Sequence, residues 1–313
     1  MAGASGSERW RIVFVHGLGR KPPAADKHAL LLLALEGGLR REHADAASML
    51  AASPGRLESV YWADLVYPDP LDPAAERDAV HRALERDAAD RVDRRAARAL
   101  RRRLRSTLNR LADRFPRLIS RFADARVAVH LAAARRYFDR ASGLGGRVRR
   151  RLHAALDSAH AADERVLLIG HSMGSVVALD TLWERTHLLA PSARVALFMT
   201  MGSPLGTRWV RSRLLGARSE GRERWAGGVD RWINLSAAGD LTAIHPRLAP
   251  LFEPATRLDL IGRIEDAAPI DTWYRDHGGL NVHKSYGYLM HPDVAGIVAD
   301  WLCPGDDAIS RRQ

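Results

Sequence analysis

A single cysteine in 313 residues, Cys303, leaves no partner for an internal disulfide. A disulfide-stapled scaffold is therefore excluded, and a reducing compartment is favoured. Long apolar runs are missing as well. None reaches the roughly 18 residues that a transmembrane helix requires, so an integral membrane protein is not expected. Met1 to Arg11 is small and polar, and the first apolar run, Ile12 to Val15, is short and leads into a glycine turn. No secretory signal is expected on that pattern, and the cytoplasm is the expected location. Lysine is scarce, with three among 48 basic residues. The chain also lacks G-x-x-x-x-G-K-[ST], H-E-x-x-H and paired C-x-x-C, so neither a Walker-type nucleotide site nor a zinc site is supported. Gly143 to Gly146 has no strand before it and is too short for a dinucleotide loop. Internal repeats are absent.

What remains is globular. Hydrophobic residues make up 46% and charged residues 27%, which excludes a disordered or collagen-like chain and leaves length enough to bury a sizeable core. The net charge of +11 is regional, because the segment from Pro68 to Arg150 carries all of it and the rest of the chain balances to zero. Any electrostatic function therefore belongs to that segment.

Hydrophobic patterning alternates between strand and helix. Arg11 to Val15 reads as a buried strand that stops at His16-Gly17-Leu18-Gly19. Asp26 is the expected cap of a helix from Lys27 to about Glu42. Leu57 to Trp62 is a second strand. Ala74 to about Ala141 reads as helices only. Leu100, Leu104, Leu108 and Leu111 fall on one face there, with Arg98, Arg101, Arg102 and Arg105 largely off it. Pro116 breaks the pattern, and Leu118, Ile119, Phe122 and Val129 suggest a second amphipathic helix. Gly143, Gly145 and Gly146 are expected to close the segment. Beyond it come strands at Arg165 to Gly170, Arg194 to Met201, Trp232 to Ser236 and Arg257 to Ile261. Helices are expected from Ser175 to about Thr186 and from Pro292 to Leu302, the latter with proline at its first turn. Strands separated by helices imply an α/β domain with a mostly parallel sheet covered on both faces. Residues 1–67 and 146–313 are expected to form that core, with residues 68–145 as an Arg-rich helical insertion.

The strongest chemical signal is Gly170-His171-Ser172-Met173-Gly174, a G-x-S-x-G after an apolar strand and before a helix. A nucleophile on a sharp strand-to-helix turn needs small residues two positions either side, which Gly170 and Gly174 supply. Such a turn lifts the Ser172 hydroxyl above the sheet and puts the Met173 N–H at a helix N-terminus, where an oxyanion is stabilised. A serine hydroxyl needs a base within hydrogen-bond reach, and the base needs a carboxylate. Asp240, on a loop past the strand ending at Ser236, is the chosen acid, with Asp259, Asp266 and Asp271 as rivals. His283, on a loop before the terminal helix, is the chosen base. Its rivals are His277 and His291, the latter at a helix start where capping is common.

With His16-Gly17-Leu18 after the first strand and G-x-S-x-G after a later one, the chain resembles the α/β-hydrolase superfamily. Thr200-Met201-Gly202-Ser203-Pro204-Leu205-Gly206 and the His283 to Pro292 stretch are similar to bacterial lipase/esterase-like members, including those like inositol deacylases. Related sequences often carry Asp-Pro-Val at the acid, where this chain has Asp240-Leu241-Thr242. The resemblance implies an α/β-hydrolase fold and the order Ser172, Asp240, His283. It also implies an oxyanion hole from the backbone N–H groups of Leu18 and Met173, with His16 structural rather than a general base.

The expected function is a serine hydrolase cleaving a carboxylic ester through an acyl-enzyme, with no metal or organic cofactor and a small-molecule ester or lipid as substrate. The alternatives are an acyltransferase or amidase with the same triad, or a non-catalytic protein that holds an anionic partner on its basic helices, nucleic acid being the less favoured partner. The Ala74 to Ala141 helices are expected to cap Ser172 and supply an acyl pocket. Their arginines either face anionic lipid headgroups or simply solvate a helical face.

Overall fold

The computed structural model describes residues 9–99, 125–189 and 194–304. The stripe from Leu100 to Leu111, Pro116 and the second stripe through Phe122 lie outside the described residues. Six strands form one sheet: β1 (Trp10–Val15), β2 (Leu57–Val60), β3 (Arg165–His171), β4 (Val195–Met201), β5 (Val229–Leu235) and β6 (Ile261–Asp266). Their order is β2-β1-β3-β4-β5-β6, and every neighbouring pair is parallel. Parallel strands require crossovers, which the intervening helices supply. They are α1 (Ala24–Glu42), α2 (Ala44–Ala52), α3 (Pro73–Leu84), α4 (Arg91–Ala97), α5 (Ala125–Phe138), α6 (Leu144–Ala161), α7 (Met173–Glu184), α8 (Arg208–Arg211), α9 (Ala249–Arg257), α10 (Ser285–Leu289) and α11 (Pro292–Leu302). A two-residue-per-strand hairpin, β7 (Arg275–Asp276) with β8 (Gly279–Leu280), stands apart from the sheet.

Side chains along a strand alternate between faces, and the two cores follow that period. Ile12 and Phe14, Leu167 and Ile169, and Leu197 and Met199 pack on one face with α1, α2, α10 and α11. Val13 and Val15, Val166 and Leu168, and Phe198 and Trp232 pack on the other with α6, α7 and α9. Both faces are covered, so the central strands read as continuous apolar runs.

Several boundaries differ from the sequence reading. Helix α1 starts at Ala24 with Pro23 at its cap, while Asp26 sits in the first turn and pairs with Arg77. The proline pair Pro22-Pro23 presets the entry angle, so no side-chain cap is needed. Arg257 ends a helix rather than beginning a strand. Phe252 and Ala255 bury one side of that helix, and the chain turns at Asp259 with φ 54° before the true edge strand from Ile261. The glycines Gly145 and Gly146 open α6 rather than closing the preceding segment, with left-handed Gly143 as the cap. Helix α7 begins at Met173, two residues earlier than expected, directly after Ser172. The Pro292–Leu302 helix is as expected.

The described part of the Arg-rich segment packs into the sheet domain. Ala79, Val80 and Ala83 of α3, together with Ala89 and Ala97, belong to the same core as α1 and β1. Several arginines of the basic stretch are engaged internally: Arg86 reaches the fully buried Asp93, which also takes Arg275 of β7, Arg98 pairs with Asp271, and Arg149 of α6 pairs with Glu184. Among the described residues, no helix is long and apolar enough to cross a membrane.

Burying an unpaired charge at Val80, which has no solvent exposure, tests whether α3 is part of the domain core. Val80→Asp is expected to lower the stability of the whole domain by about 3 kcal/mol or more, read as one shifted thermal transition by circular dichroism. An unchanged main transition would mark α3 as a detachable unit.

Candidate functional site

In a parallel sheet the carboxyl ends of the strands share one edge, and ligands bind there. His16 to Leu18 follow β1, Ser172 follows β3, Gly202 follows β4, and the loop bearing Asp240 follows β5. His283 arrives on the loop between β8 and α10.

Ser172 occupies φ 54°, ψ −126°, a conformation that costs a non-glycine residue roughly 1–3 kcal/mol. Its neighbours enforce the bend. The Ser172 N–H donates to the Met201 carbonyl at 2.9 Å, tying the turn to β4. A Cβ at position 170 would lie 2.6 Å from the Ser175 Cα, and one at position 174 would collide with the Val15 carbonyl. The small residues expected at these two positions are therefore required by backbone contacts. Gly17 likewise brings the loop after β1 against the serine: a Cβ there would lie 2.6 Å from the Ser172 Cβ.

Three residues separated widely in sequence meet at this bend. His283 Nε2 is 3.0 Å from Ser172 Oγ, and His283 Nδ1 is 2.8 Å from Asp240 Oδ2. With the Nδ1 proton donated to the carboxylate, Nε2 is left to accept the serine proton. Asp240 is buried, and burial by itself raises a carboxyl pKa. The His283 charge and the donors around it outweigh burial and hold it below the ordinary carboxylate value. Those donors are the Tyr288 hydroxyl on Oδ2 at 2.7 Å and the Thr242 N–H on Oδ1 at 2.8 Å.

The other histidines of the two motifs are neutral scaffolding. Burial, then the charge of Lys21, lowers His16 well below the usual imidazole value. Its Nε2 accepts the Trp62 N–H at 2.9 Å, so its Nδ1–H donates to the Gly17 carbonyl at 2.8 Å. The ring lies flat on Trp62, with centroids 5.1 Å apart. That carbonyl belongs to the peptide whose N–H is Leu18, so the imidazole fixes the orientation of that N–H. His171 is lowered by burial and by the nearby His283. Its Nε2–H donates to the His283 carbonyl at 2.7 Å, holding the His283 backbone. Among the described residues, neither the Leu18 N–H nor the Met173 N–H has a backbone or side-chain acceptor. The Met173 N–H is the first of helix α7, so it has no acceptor within the helix.

The rivals lie elsewhere. Asp266 accepts the N–H groups of Leu248 and Ala249, and Asp271 pairs with Arg98. Asp259 occupies the turn between α9 and β6. His277 is exposed in the β7–β8 turn, and His291 Nδ1 accepts the Asp293 N–H as the cap of α11.

Sequence reasoning missed Tyr288 and Thr242. Tyr288 lay inside the His283 to Pro292 stretch already singled out, and its apolar neighbours Leu289 and Met290 gave no sign that its hydroxyl is spent on a carboxylate. Thr242 is one of the two residues, with Leu241, at which this chain departs from Asp-Pro-Val, and its hydroxyl lies 3.3 Å from His283 Nε2.

Comparison with family models, with curated proteins and with solved structures returned no match for this chain.

A carboxylate held below its ordinary value contributes stability that is complete above its unfolded pKa and lost as pH falls through the folded one. Tyr288→Phe removes one donor from Asp240 and strips the Ala237 N–H of its acceptor, the Tyr288 oxygen at 2.7 Å. The variant is expected to lose about 1.5–3 kcal/mol at neutral pH and to begin acid unfolding at a higher pH than the parent. Parallel acid titrations followed by near-ultraviolet circular dichroism check the direction.

Proposed function

We propose that this chain is a serine hydrolase of the α/β-hydrolase type that cleaves a carboxylic ester. One observation carries the reading: a serine at a left-handed bend, 3.0 Å from an imidazole nitrogen whose partner nitrogen is 2.8 Å from a buried carboxylate. The parallel sheet, with the serine past a central strand and the acid and base past later elements, supports the same architecture.

The chemistry follows from these positions. Ser172 Oγ attacks the acyl carbon as its proton passes to His283 Nε2. The carbonyl oxygen takes up the electron pair, and the N–H groups of Leu18 and Met173 receive the negative charge. Asp240 stabilises the imidazolium and keeps its ring in register. Collapse of the tetrahedral adduct expels the alcohol, which leaves with the proton from Nε2. Water then attacks the acyl-serine, with His283 as base, and a second collapse frees the carboxylic acid and restores Ser172.

Two measurements test this. A fluorophosphonate probe is expected to label Ser172 in the parent and nothing in Ser172→Ala. Hydrolysis of p-nitrophenyl butyrate is expected to fall roughly 10⁴- to 10⁶-fold in that variant, with an unchanged circular dichroism spectrum. Substantial turnover surviving the substitution refutes the nucleophile. Absence of labelling together with salt-sensitive retention on nucleic acid favours a binding protein on this scaffold instead.

A further inference from the structure

Against 45 arginines this chain has only three lysines, Lys21, Lys27 and Lys284. They are distant in sequence, yet the fold brings all three together beside the candidate site. Lys284 follows the base His283 directly, and its ammonium pairs with Glu76 Oε1 at the start of α3. Lys27, on the first turn of α1, is buried with Nζ 3.3 Å from Ser285 Oγ and 3.9 Å from the centre of the Tyr286 ring. Lys284 Nζ lies 5.5 Å from the centre of the same ring. Lys21 donates to the carbonyls of Leu18 at 2.7 Å and Gly19 at 3.1 Å, the loop that carries the proposed oxyanion donor.

The charges do not balance. Glu76 is the carboxylate within this group, and it also accepts the Tyr286 hydroxyl at 2.7 Å. One carboxylate faces three lysine amines, so full protonation of the group would leave it net positive, and the carboxylate's own partner is Lys284. Burial and mutual repulsion together hold the group below full charge. Burial, then the Lys284 charge, pulls Lys21 down to about 7. The same two causes depress Lys27. Lys21 and Lys27 both help to lower His16 and His171, the two imidazoles that flank the serine loop. Lysine suits this position where arginine does not: its ammonium is compact and fits between carbonyls and a ring face, whereas a planar fork of five donors demands more partners than these walls offer.

We infer that the lysine group selects substrates carrying an anionic group, a carboxylate or a phosphate, within a few atoms of the scissile carbonyl. The inference rests on the ester-hydrolase reading for its location and adds the substrate's charge to it. An anion entering beside the loop from His16 to Lys21 supplies the counter-charge that Glu76, already paired with Lys284, does not give Lys21, and burial strengthens that attraction. A neutral ester gains nothing from it. The anion also favours the charged form of Lys21, so binding draws a proton onto the protein near neutral pH.

The test uses matched esters. Mono-p-nitrophenyl succinate replaces the terminal methyl of p-nitrophenyl butyrate by a carboxylate on the acyl side. The butyrate esters of 3-hydroxypropanoate and of propanol place the same contrast on the alcohol side. The parent is expected to favour the anionic member of at least one pair by tenfold or more in kcat/KM. Lys21→Met is expected to cut that ratio about tenfold, whatever it does to turnover of the neutral ester, and salt at about 0.5 M to compress it. Because a merely structural lysine would slow both members alike, the ratio is the diagnostic quantity. Equal or reversed preference in both pairs, or a ratio indifferent to Lys21→Met, overturns the inference.

A binding measurement separates this from the reading it rests on. Ser172→Ala titrated calorimetrically with succinamate and with butyramide requires no turnover. Tighter binding of succinamate, weakened by Lys21→Met, supports the charge selection even if every ester proves inert, in which case the hydrolase reading alone fails. Equal affinity for the two amides counts against charge selection on the acyl side even where esters are cleaved, and equal kcat/KM for the 3-hydroxypropanoate and propanol esters then excludes it on the alcohol side as well.

Discussion

A serine held at φ 54° on the exit of a buried strand is a local minimum that the chain would not choose for itself. The surrounding backbone chooses it, through the hydrogen bond from Ser172 N–H to the Met201 carbonyl and the contact of Gly174 with the Val15 carbonyl. The first ties the bend to β4, and the second ties it to β1. Because β3 lies between those two strands in the sheet, the bend is fixed by the register of three neighbouring strands at once. Every other member of the candidate site converges on the point this fixes: the loop with Gly17 from β1, Asp240 from beyond β5, and His283 from beyond the sheet. A shift of one residue in the β1–β3 or β3–β4 register would move the Ser172 Oγ off the line between His283 and the helix N-terminus, which is why the sheet's apolar core is also a condition on the site.

Electrostatic roles are divided among three imidazoles by burial and neighbours. His16 and His171 are held neutral, and each uses a ring N–H to fix a backbone carbonyl. One of those carbonyls shares a peptide with the Leu18 N–H, and the other belongs to His283 itself. His283 alone faces a carboxylate through one nitrogen and a hydroxyl through the other. The same side chain is thus placed as a strut twice and, in the proposed hydrolase, as a proton carrier once, and its hydrogen-bond partners decide which.

Much of this was legible in the sequence. The apolar run from Val166 to Ile169 followed by Gly-His-Ser-Met-Gly carries both a period and a steric rule, and such local signals survive folding. Asp240 and His283 were legible only as residues past strand ends, because their meeting with Ser172 depends on the order in which strands are laid down. The apparent strand at Arg257 to Ile261 shows the opposite case. Its alternating residues fit a strand, but Phe252 and Ala255 bury one side of a helix running up to Arg257, and packing of that helix against β6 overrode the local pattern. The hydroxyls of Tyr288 and Thr242 were illegible, since an aromatic on a helix and a threonine in a loop carry no mark of the carboxylate or imidazole they will meet. The lysine group was half legible: scarcity showed in the composition, convergence did not.

The position of His283 also depends on the Arg-rich segment, for a reason independent of any cap. His283 sits on a connection between a two-strand hairpin and a short helix, neither of which is part of the sheet. What steadies it comes from several directions. Asn281 donates to Asp276 within the hairpin, His171 holds the His283 carbonyl, and Glu76 of α3 takes both Lys284 and Tyr286. Glu76 can do this only because Ala79, Val80 and Ala83 bury α3 against the core that holds α1. The charged start of the helix and its apolar side therefore act together: the apolar side sets where the helix lies, and the carboxylate sets where the loop after β8 stops. A segment that composition marks out by its arginines thus contributes to the site through one of its eleven acidic side chains.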